Sequence, residues 1–331
     1  MNILICSVGR RVKLVEFFKA ELHKINGMVV AVDCDETAPA LHYADKYEIV
    51  PRLNAPNYIQ HIKNLCRQYE ISGIFSLIDP ELTLLASFKE EFEKEGVQVI
   101  VSERHVVEIC YDKLLTSQFL QDNELPFIPT YNRIDDVIQD IKEGRIIFPL
   151  IVKPKNGSAS IGINKVYSLE ELIVYRNEIE ELIIQPFIDG QEIGVDCYID
   201  LLTGKPVNIF MKRKITMRAG ETDKSVSIYD PALKQLIEKL LYLLKPIGPV
   251  DIDCFLTEKG YVISEINPRF GGGYPHAYLI GHNFIKNIIN NLKGLVNESA
   301  KKDYEEGTIM VKYENVKLLK STKEPLNTVL F

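Results

Sequence analysis

No pair of cysteines in this sequence is spaced to work together. Cys6, Cys34, Cys66, Cys110, Cys197 and Cys254 lie scattered, without a C-x-x-C spacing or a tight grouping with histidine. Disulfide scaffolding and structural zinc are thereby set aside, and the cysteines read as small buried residues of a cytoplasmic protein. A block of Lys and Arg is also missing. With 39 basic against 46 acidic side chains the formal charge is −7, which argues against a nucleic-acid partner. No apolar run approaches the roughly 18 residues of a membrane span. The start, "MNILICSVGRRVKLVEFF", suits a first buried strand and not a signal peptide. Repeats, low-complexity tracts and disordered linkers are absent too.

What is present is a chain of 331 residues, 46% hydrophobic and 26% charged, ordinary for a globular protein and long enough for two or three cores. The first hundred residues alternate apolar strands ("NILICSV", "MVVAVDC", "GIFSLI", "VQVIV") with helical patterns. Val12, Val15, Phe18 and Leu22 form one helical stripe, and "ELTLLASFKEEFEKEG" reads as a helix ending at Gly96. Strands separated by helices predict an open parallel α/β domain over residues 1–104. The pattern then turns α+β: a helix through "YDKLLTSQFLQDNELPF", strand pairs around "LIVKPK" and "NKVYS", the helix "DPALKQLIEKLLYLLKPI", and a hairpin "PVDIDCFLTEKGYVISEIN". Residues 105–300 are expected to form this second domain. The C-terminal extension, 301–331, is too weakly patterned to assign.

That hairpin carries the strongest chemical signal. Asp251 and Asp253 share one strand face, as do Ile263, Glu265 and Asn267. A three-residue loop (Glu258 to Gly260) would set Asp253 opposite Glu265 and Asp251 opposite Asn267. Opposed carboxylates repel unless a cation lies between them, and oxygen ligands from Asp, Glu and Asn suit Mg²⁺ (or Mn²⁺) with phosphate oxygens completing its shell. The alternative is a solvated outer sheet face. Arg269 follows in "NPRFGGG" and offers a fork of donors to an anion.

A second signal is "FPLIVKPKNGSASIGINKV". Lys153 ends an apolar strand, and "NGSASIG", with Ser158 and Ser160, follows it. Lys153 either snorkels from a strand end or stands as a desolvated ammonium against phosphate oxygens, with the loop folding over them. A third is "LIIQPFIDGQE", an apolar strand able to offer backbone hydrogen bonds to a purine edge, with Glu192 placed for ribose hydroxyls.

Taken in order, "DKLLTSQFL", "PLIVKPKNGSASIGI", "IIQPFIDGQEIGVD", Asp253 and "EINPRFGGG" resemble the ATP-grasp superfamily, in particular the carboxylate-activating ligases related to carbamoyl phosphate synthase large subunit and biotin carboxylase. The resemblance covers essentially residues 1 to 300. It implies a pre-ATP-grasp domain followed by a grasp fold with a mobile lid at about 125–190. It implies that Lys113 and Lys153 hold nucleotide phosphates, that Gln185, Pro186, Phe187 and Ile188 form the adenine hinge, and that Glu192 binds ribose. Asp253, Glu265 and Asn267 would be the Mg²⁺ ligands and Arg269 the arginine that steadies an acyl-phosphate oxyanion. Two departures stand out: Gln185 where the first hinge residue is often acidic, and Asp253 where Glu or Gln is common.

The implied reaction is ATP-dependent activation of a small-molecule carboxylate as an acyl phosphate, followed by attack of an amine. A carbamoyl phosphate synthase-like enzyme acting on bicarbonate and a non-catalytic ATP-binding regulatory module are the alternatives, and a homodimer is a candidate assembly. For the substrate, Ser7, Gly9, Arg10 and Arg11 sit where anions bind beyond the carboxyl end of a strand. A solvated helix start or an interdomain ion pair is the competing reading. Arg213 and Arg218, in "FMKRKITMRAGETDKS", mark either a substrate loop or a solvated face. His276 is either a base or a buried histidine.

Overall fold

The computed structural model describes residues 1–157, 162–178, 181–299 and 304–319. Its first sheet is built from β1 (Asn2–Cys6), β2 (Met28–Asp33), β3 (Lys46–Ile49), β4 (Ile71–Ser76) and β5 (Gln98–Val99), parallel throughout in the order β3-β2-β1-β4-β5. Helices α1 (Val12–His23), α2 (Tyr58–Gln68), α3 (Asp79–Ser87) and α4 (Lys89–Lys94) make the crossovers. Ile3, Leu4, Ile5 and Cys6 are wholly buried, as strands covered on both faces must be. The helix expected to run unbroken to Gly96 is interrupted at Phe88. From β1 the chain turns to β2 on one side and reaches β4 on the other only later. The loops leaving β1 and β4 therefore diverge and open a crevice at the switch point.

Two helices, α5 (Arg104–Tyr111) and α6 (Lys113–Asp122), lead into a small layer made of α7 (Ile134–Lys142), β6 (Leu150–Pro154), β7 (Asn164–Val166), α8 (Leu169–Glu178) and β8 (Leu182–Pro186). Its antiparallel sheet, β7-β6-β8, closes over its own core of Val137, Leu150, Val152, Val166 and Ile184. This layer falls within the span where the lid was expected.

The largest sheet contains β9 (Gln191–Ile199), β10 (Pro206–Arg218), β11 (Glu221–Ile228), β12 (Gly248–Thr257) and β13 (Gly260–Asn267), with α9 (Pro231–Leu244) on one face. Period-2 alternation sorts its faces. Ile193, Val195, Cys197, Met211, Val250, Ile252, Cys254 and Ile266 pack on Leu233, Ile237 and Leu240 of α9. The other parity, Gly194, Asp196, Lys212, Lys214, Asp251, Asp253, Glu265 and Asn267, forms the opposite face, which looks toward the first domain.

Helices α10 (Tyr274–Leu279) and α11 (Phe284–Leu292) fold back onto the first sheet. Phe17 of α1 stacks on Tyr278 with centroids 3.9 Å apart, and Phe270, Tyr274, Phe284 and Ile288 share a core with Phe18 and Phe75. Residues 270–292 thus lie within 105–300 in sequence but pack with the first domain. The strand β14 (Ile309–Val311) pairs antiparallel with β11 as a sixth strand, so part of the 301–331 extension is sheet. No helix among the described residues is long and apolar enough to cross a membrane.

Candidate active site

The β12–β13 hairpin sets Asp251 opposite Asn267 and Asp253 opposite Glu265. It does so by a different route from the one expected. Thr257 pairs with Gly260, so the turn holds only Glu258 and Lys259, and the register shifts between Asp253 and Cys254, leaving Ser264 unpaired. A shorter turn and an inserted bulge residue cancel, and the bulge re-aims the acidic rows.

Burial lifts the Glu265 carboxyl above its usual range, and the charge of Asp253 adds to this. Burial and then Asp253 push Asp251 up to about 7. Lys214 Nζ lies 2.6 Å from Asp253 Oδ1, yet that buried oxygen receives no well-aligned hydrogen bond. The contact is a close but poorly directed ion pair. Among the described residues no three His, Cys, Asp or Glu side chains gather as a metal site. Two carboxylates and an amide alone suit a hard cation that takes its remaining oxygens from a phosphate.

Lys153 approaches from the β6 side. Its neighbours Leu150 and Val152 point into the small-layer core while Lys153 takes the other parity. Burial lowers its pKa to about 8, with Glu265 opposing that fall and Lys113 adding to it. Both lysines therefore sense the acidic hairpin or each other. Asp112 caps α6 by accepting from Leu114 N and Leu115 N, which fixes Lys113 at the first helical position. Lys113 Nζ then donates to the Gly157 carbonyl at 2.8 Å. Ser158 and Ser160 lie outside the described residues.

On the hinge, Gln185 is buried and donates through Nε2 to Thr130 Oγ1 at 2.8 Å, and Phe187 N donates to the Pro149 carbonyl at 3.0 Å. Lys165 Nζ stands 3.4 Å from the centroid of the exposed Phe187 ring. Pro186 ends β8, Ile188 is half-buried, and Glu192 keeps an exposed carboxylate 4.0 Å from Lys214 Nζ.

A cavity of about 270 Å³ opens at the switch point, lined by the Ser7–Arg11 loop, Leu77 and Ile78 from the first domain and by Lys214, Asp251, Asp253, Glu265, Asn267 and Arg269 from the large sheet. Ser7 Oγ donates to the buried carboxylate of Glu81 at 2.7 Å, and Gly9 N donates to Asp33 Oδ2 at 2.8 Å. Arg269 is gripped across the domain boundary. Its Nε and Nη2 reach Asp79 Oδ1 and Oδ2 at 2.9 and 3.1 Å, Nη2 also reaches Asn267 Oδ1 at 3.0 Å, and Nη1 reaches the Phe270 carbonyl at 3.3 Å. The fork expected to face an anion is thus filled by Asp79, and an Nη1 hydrogen is left over. Burial alone would lower this guanidinium's pKa; Asp79, joined by Asp251 and Glu265, more than offsets that and raises it.

The glycine run after Arg269 has a steric reason. A Cβ on Gly271 would fall 2.4 Å from Asp251 Cγ, one on Gly272 2.7 Å from Glu221 Cγ, and one on Gly273 2.6 Å from Lys212 Cε. Three bare backbone positions form the floor under three charged side chains.

Arg213 shares the parity of Met211 and so stands on the face opposite Lys212 and Lys214, and Arg218 forms an exposed ion pair with Glu314 at 2.6 Å. Neither lines the cavity. His276 is buried, bonds through Nδ1 to Ser225 Oγ at 2.8 Å, and is held neutral with a pKa near 4 by burial and the nearby Lys212. The sequence reading passed over Asp79, Glu221, Lys214 and the buried Lys212–Asp196 pair. Parity could have found Lys214, which stands two residues from Lys212 in "MKRK"; Asp79 carried only the weak signal of an acid beside proline at a strand end.

Removing one partner from a buried charge pair leaves the other uncompensated, at a cost of about 3–5 kcal/mol. Asp79→Ala is expected to lose about that much stability in denaturant unfolding, because Arg269 and Asp79 are each under one-tenth exposed. A loss below about 1 kcal/mol would contradict the interdomain clamp.

The profile of the PylC-like N-terminal domain matches residues 3–100, and that of the ATP-grasp domain matches residues 110–273. The chain is an ATP-grasp protein with a PylC-like N-terminal domain. It is 29% identical over 171 residues to a carbamoyl-phosphate synthase of Methanobrevibacter smithii, a match spanning 50% of this chain and 44% of that protein. It is 32% identical over 158 residues to a D-alanine–D-alanine ligase of Ruminiclostridium cellulolyticum, spanning 41% and 42%. The matches thus span less than half the length of these two relatives. In fold, the biotin carboxylase domain dimer of Hydrogenobacter thermophilus 2-oxoglutarate carboxylase, solved with MgADP, ADP and bicarbonate, superposes with a TM-score of 0.74 at 17% identity, covering 93% of this chain and 73% of that one.

Proposed function

We propose that this protein is an ATP- and Mg²⁺-dependent ligase that converts a small-molecule carboxylate to an acyl phosphate and joins it to an amine. The observation that supports this most is the opposition of Asp253 and Glu265 on one hairpin face, with Asn267 ending that strand, Arg269 just past it, and Lys153 near enough to feel the charge of Glu265. The ATP-grasp and ligase relatives point the same way.

In the first step a substrate carboxylate oxygen bonds to the γ-phosphorus of ATP while the bond to the β–γ bridging oxygen breaks, releasing ADP. In the second the amine nitrogen bonds to the acyl carbon, the carbon–oxygen bond to phosphate breaks, and inorganic phosphate leaves with the amine proton passing to solvent. Asp253, Glu265 and Asn267 would hold Mg²⁺ (Mn²⁺ suits the same donors), which when bound supplies charge neutralisation at phosphate oxygens. Lys153 and Lys113 place positive charge where the transferring phosphoryl group gains negative charge. Asp79 keeps the Arg269 guanidinium fixed beside the cavity, so its remaining donor needs no reorganisation.

The test is product analysis against panels of carboxylates and amines. ADP and inorganic phosphate are expected in equal amounts, dependent on added carboxylate, and hydroxylamine in place of the amine is expected to yield a hydroxamate. AMP and pyrophosphate as products, or ATP binding without carboxylate-dependent ADP, would overturn the proposal.

A further inference from the structure

One carboxylate in the cavity wall is surrounded by three cations. Glu221, the first residue of β11, accepts from Arg10 Nε at 3.1 Å on Oε1 and from Lys312 Nζ at 2.9 Å on Oε2, and Oε1 also forms an ion pair with Arg11 Nε at 3.3 Å. The two arginines come from the switch-point loop of the first domain. Lys312 comes from the far end of the chain, immediately after β14 and beyond residue 273, where the ATP-grasp match ends. Its position is fixed by the sheet: Val311 pairs with Lys224, and Lys312 N donates to the Asp223 carbonyl at 2.9 Å. Further along, Lys317 Nζ donates to the His42 carbonyl at 2.6 Å and sits 4.2 Å from the Tyr43 ring centroid. The terminal segment therefore runs from the large sheet to the first domain and meets the cavity wall at Glu221, without itself lining the cavity.

Charge does not balance at this corner. Burial depresses the basicity of Arg11 and of Lys312, each despite Glu221, and each of the two cations is further depressed by its cationic neighbours. Three cations share this one carboxylate, with Asp251 also acting on Arg11, whose Nη1 lies 3.0 Å from where a Cβ of Gly272 would be; positive charge is left over. Glu221 holds the three in place without neutralising them.

We propose that Arg10, Arg11 and Lys312 form an anion subsite for a substrate carboxylate other than the one that is phosphorylated, with Lys312 on the C-terminal strand determining specificity. The substrate class is then a small amino acid or diacid whose spare carboxylate anchors it at the switch point while the reacting group lies by Arg269 and the acidic hairpin. The substrate half of this statement rests on the ligase reading; the anion site itself does not.

The full-length chain saturated with MgADP is titrated calorimetrically with each common L-amino acid and with succinate, and with the matching primary amides, which keep the shape and lose the charge. At least one acid is expected to bind, with its amide weaker by about tenfold or more, the scale of a charge-assisted hydrogen bond. Lys312→Met is expected to weaken the acid about tenfold and to leave MgADP affinity unchanged, and Lys312→Arg to restore it. In turnover the Met variant is expected to raise KM for the acid with little change in kcat. Equal binding of acid and amide, no binding by any acid, or a Met variant with unaltered affinity would overturn the subsite. Lys312-dependent binding that never yields ADP would leave the subsite standing and sink the ligase reading. Carboxylate-dependent ADP formation indifferent to Lys312 would do the reverse.

Discussion

Glu265→Gln is expected to abolish turnover and, at the same time, to leave the free protein as stable as before or more so. The two effects share one cause. Burial and Asp253 raise the folded-state pKa of Glu265 above its unfolded value, so keeping it ionised at pH 8 opposes folding. The neutral amide removes that cost while keeping the side-chain shape. It also removes one of the two carboxylates that would hold Mg²⁺, where the loss of charge stabilisation corresponds to several kcal/mol, or about 10³-fold or more in rate. Asp253→Asn is expected to match it in activity but not in stability, because Lys214 would lose its ion-pair partner. Thermal unfolding without nucleotide and phosphate release with MgATP check both halves. A Gln variant that is strongly destabilised, or that turns over normally, would show that Glu265 serves the fold instead.

Lys153→Met is expected to cut turnover by about 10²–10³-fold, the scale of a donor aimed at developing charge. Stability at neutral pH should hold or rise slightly. The sign follows from the depressed pKa, about 8 in the folded chain against about 10.4 unfolded. Between these values the unfolded state binds more protons, so the wild type gains stability as pH rises through that window, and below it the charged lysine opposes folding. The Met variant should lack this gain. Nucleotide affinity should move the opposite way: phosphate oxygens need the protonated ammonium, so wild-type binding of ADP without metal weakens as pH rises past about 8, and the variant shows no such step. A large stability loss at neutral pH with unchanged activity would support a lysine that only snorkels from its strand end.

The hairpin was legible because period 2 is a hard rule. Asp251 and Asp253 share one face by that rule, as do Glu265 and Asn267; the two pairs meet because the bulge restores the parity that the shorter turn shifts, and it sends Ile263 to the apolar core instead of the acidic face. The turn length was not legible, since a bulge at Ser264 is set by local packing and leaves no composition signal. The open α/β domain could be read from strand–helix alternation, and with it the switch-point loop at Ser7–Arg11. What stayed hidden was whatever depends on contact across domains. Asp79 meets Arg269 across 190 positions of sequence, and Lys312 reaches Glu221 only because β14 adds to an edge strand from a segment with little hydrophobic pattern. In "MKRKITMR" the expectation fell on Arg213 and Arg218, while the strand turned Lys212 and Lys214 to the charged face and Arg213 away from it. Charge alone did not separate them; parity did.

The account turns on a substrate carboxylate oxygen attacking the γ-phosphorus. With a carboxylate found to support ADP formation, both its oxygens are replaced by ¹⁸O and the inorganic phosphate is collected after turnover with the amine. The account predicts one ¹⁸O atom in each phosphate released, because the acyl–phosphate bridge is the substrate's own oxygen and the amine cleaves the bond on the carbon side. Phosphate carrying no label, with ADP formed at the same rate, would mean that water attacks the nucleotide, and would contradict the acyl-phosphate mechanism.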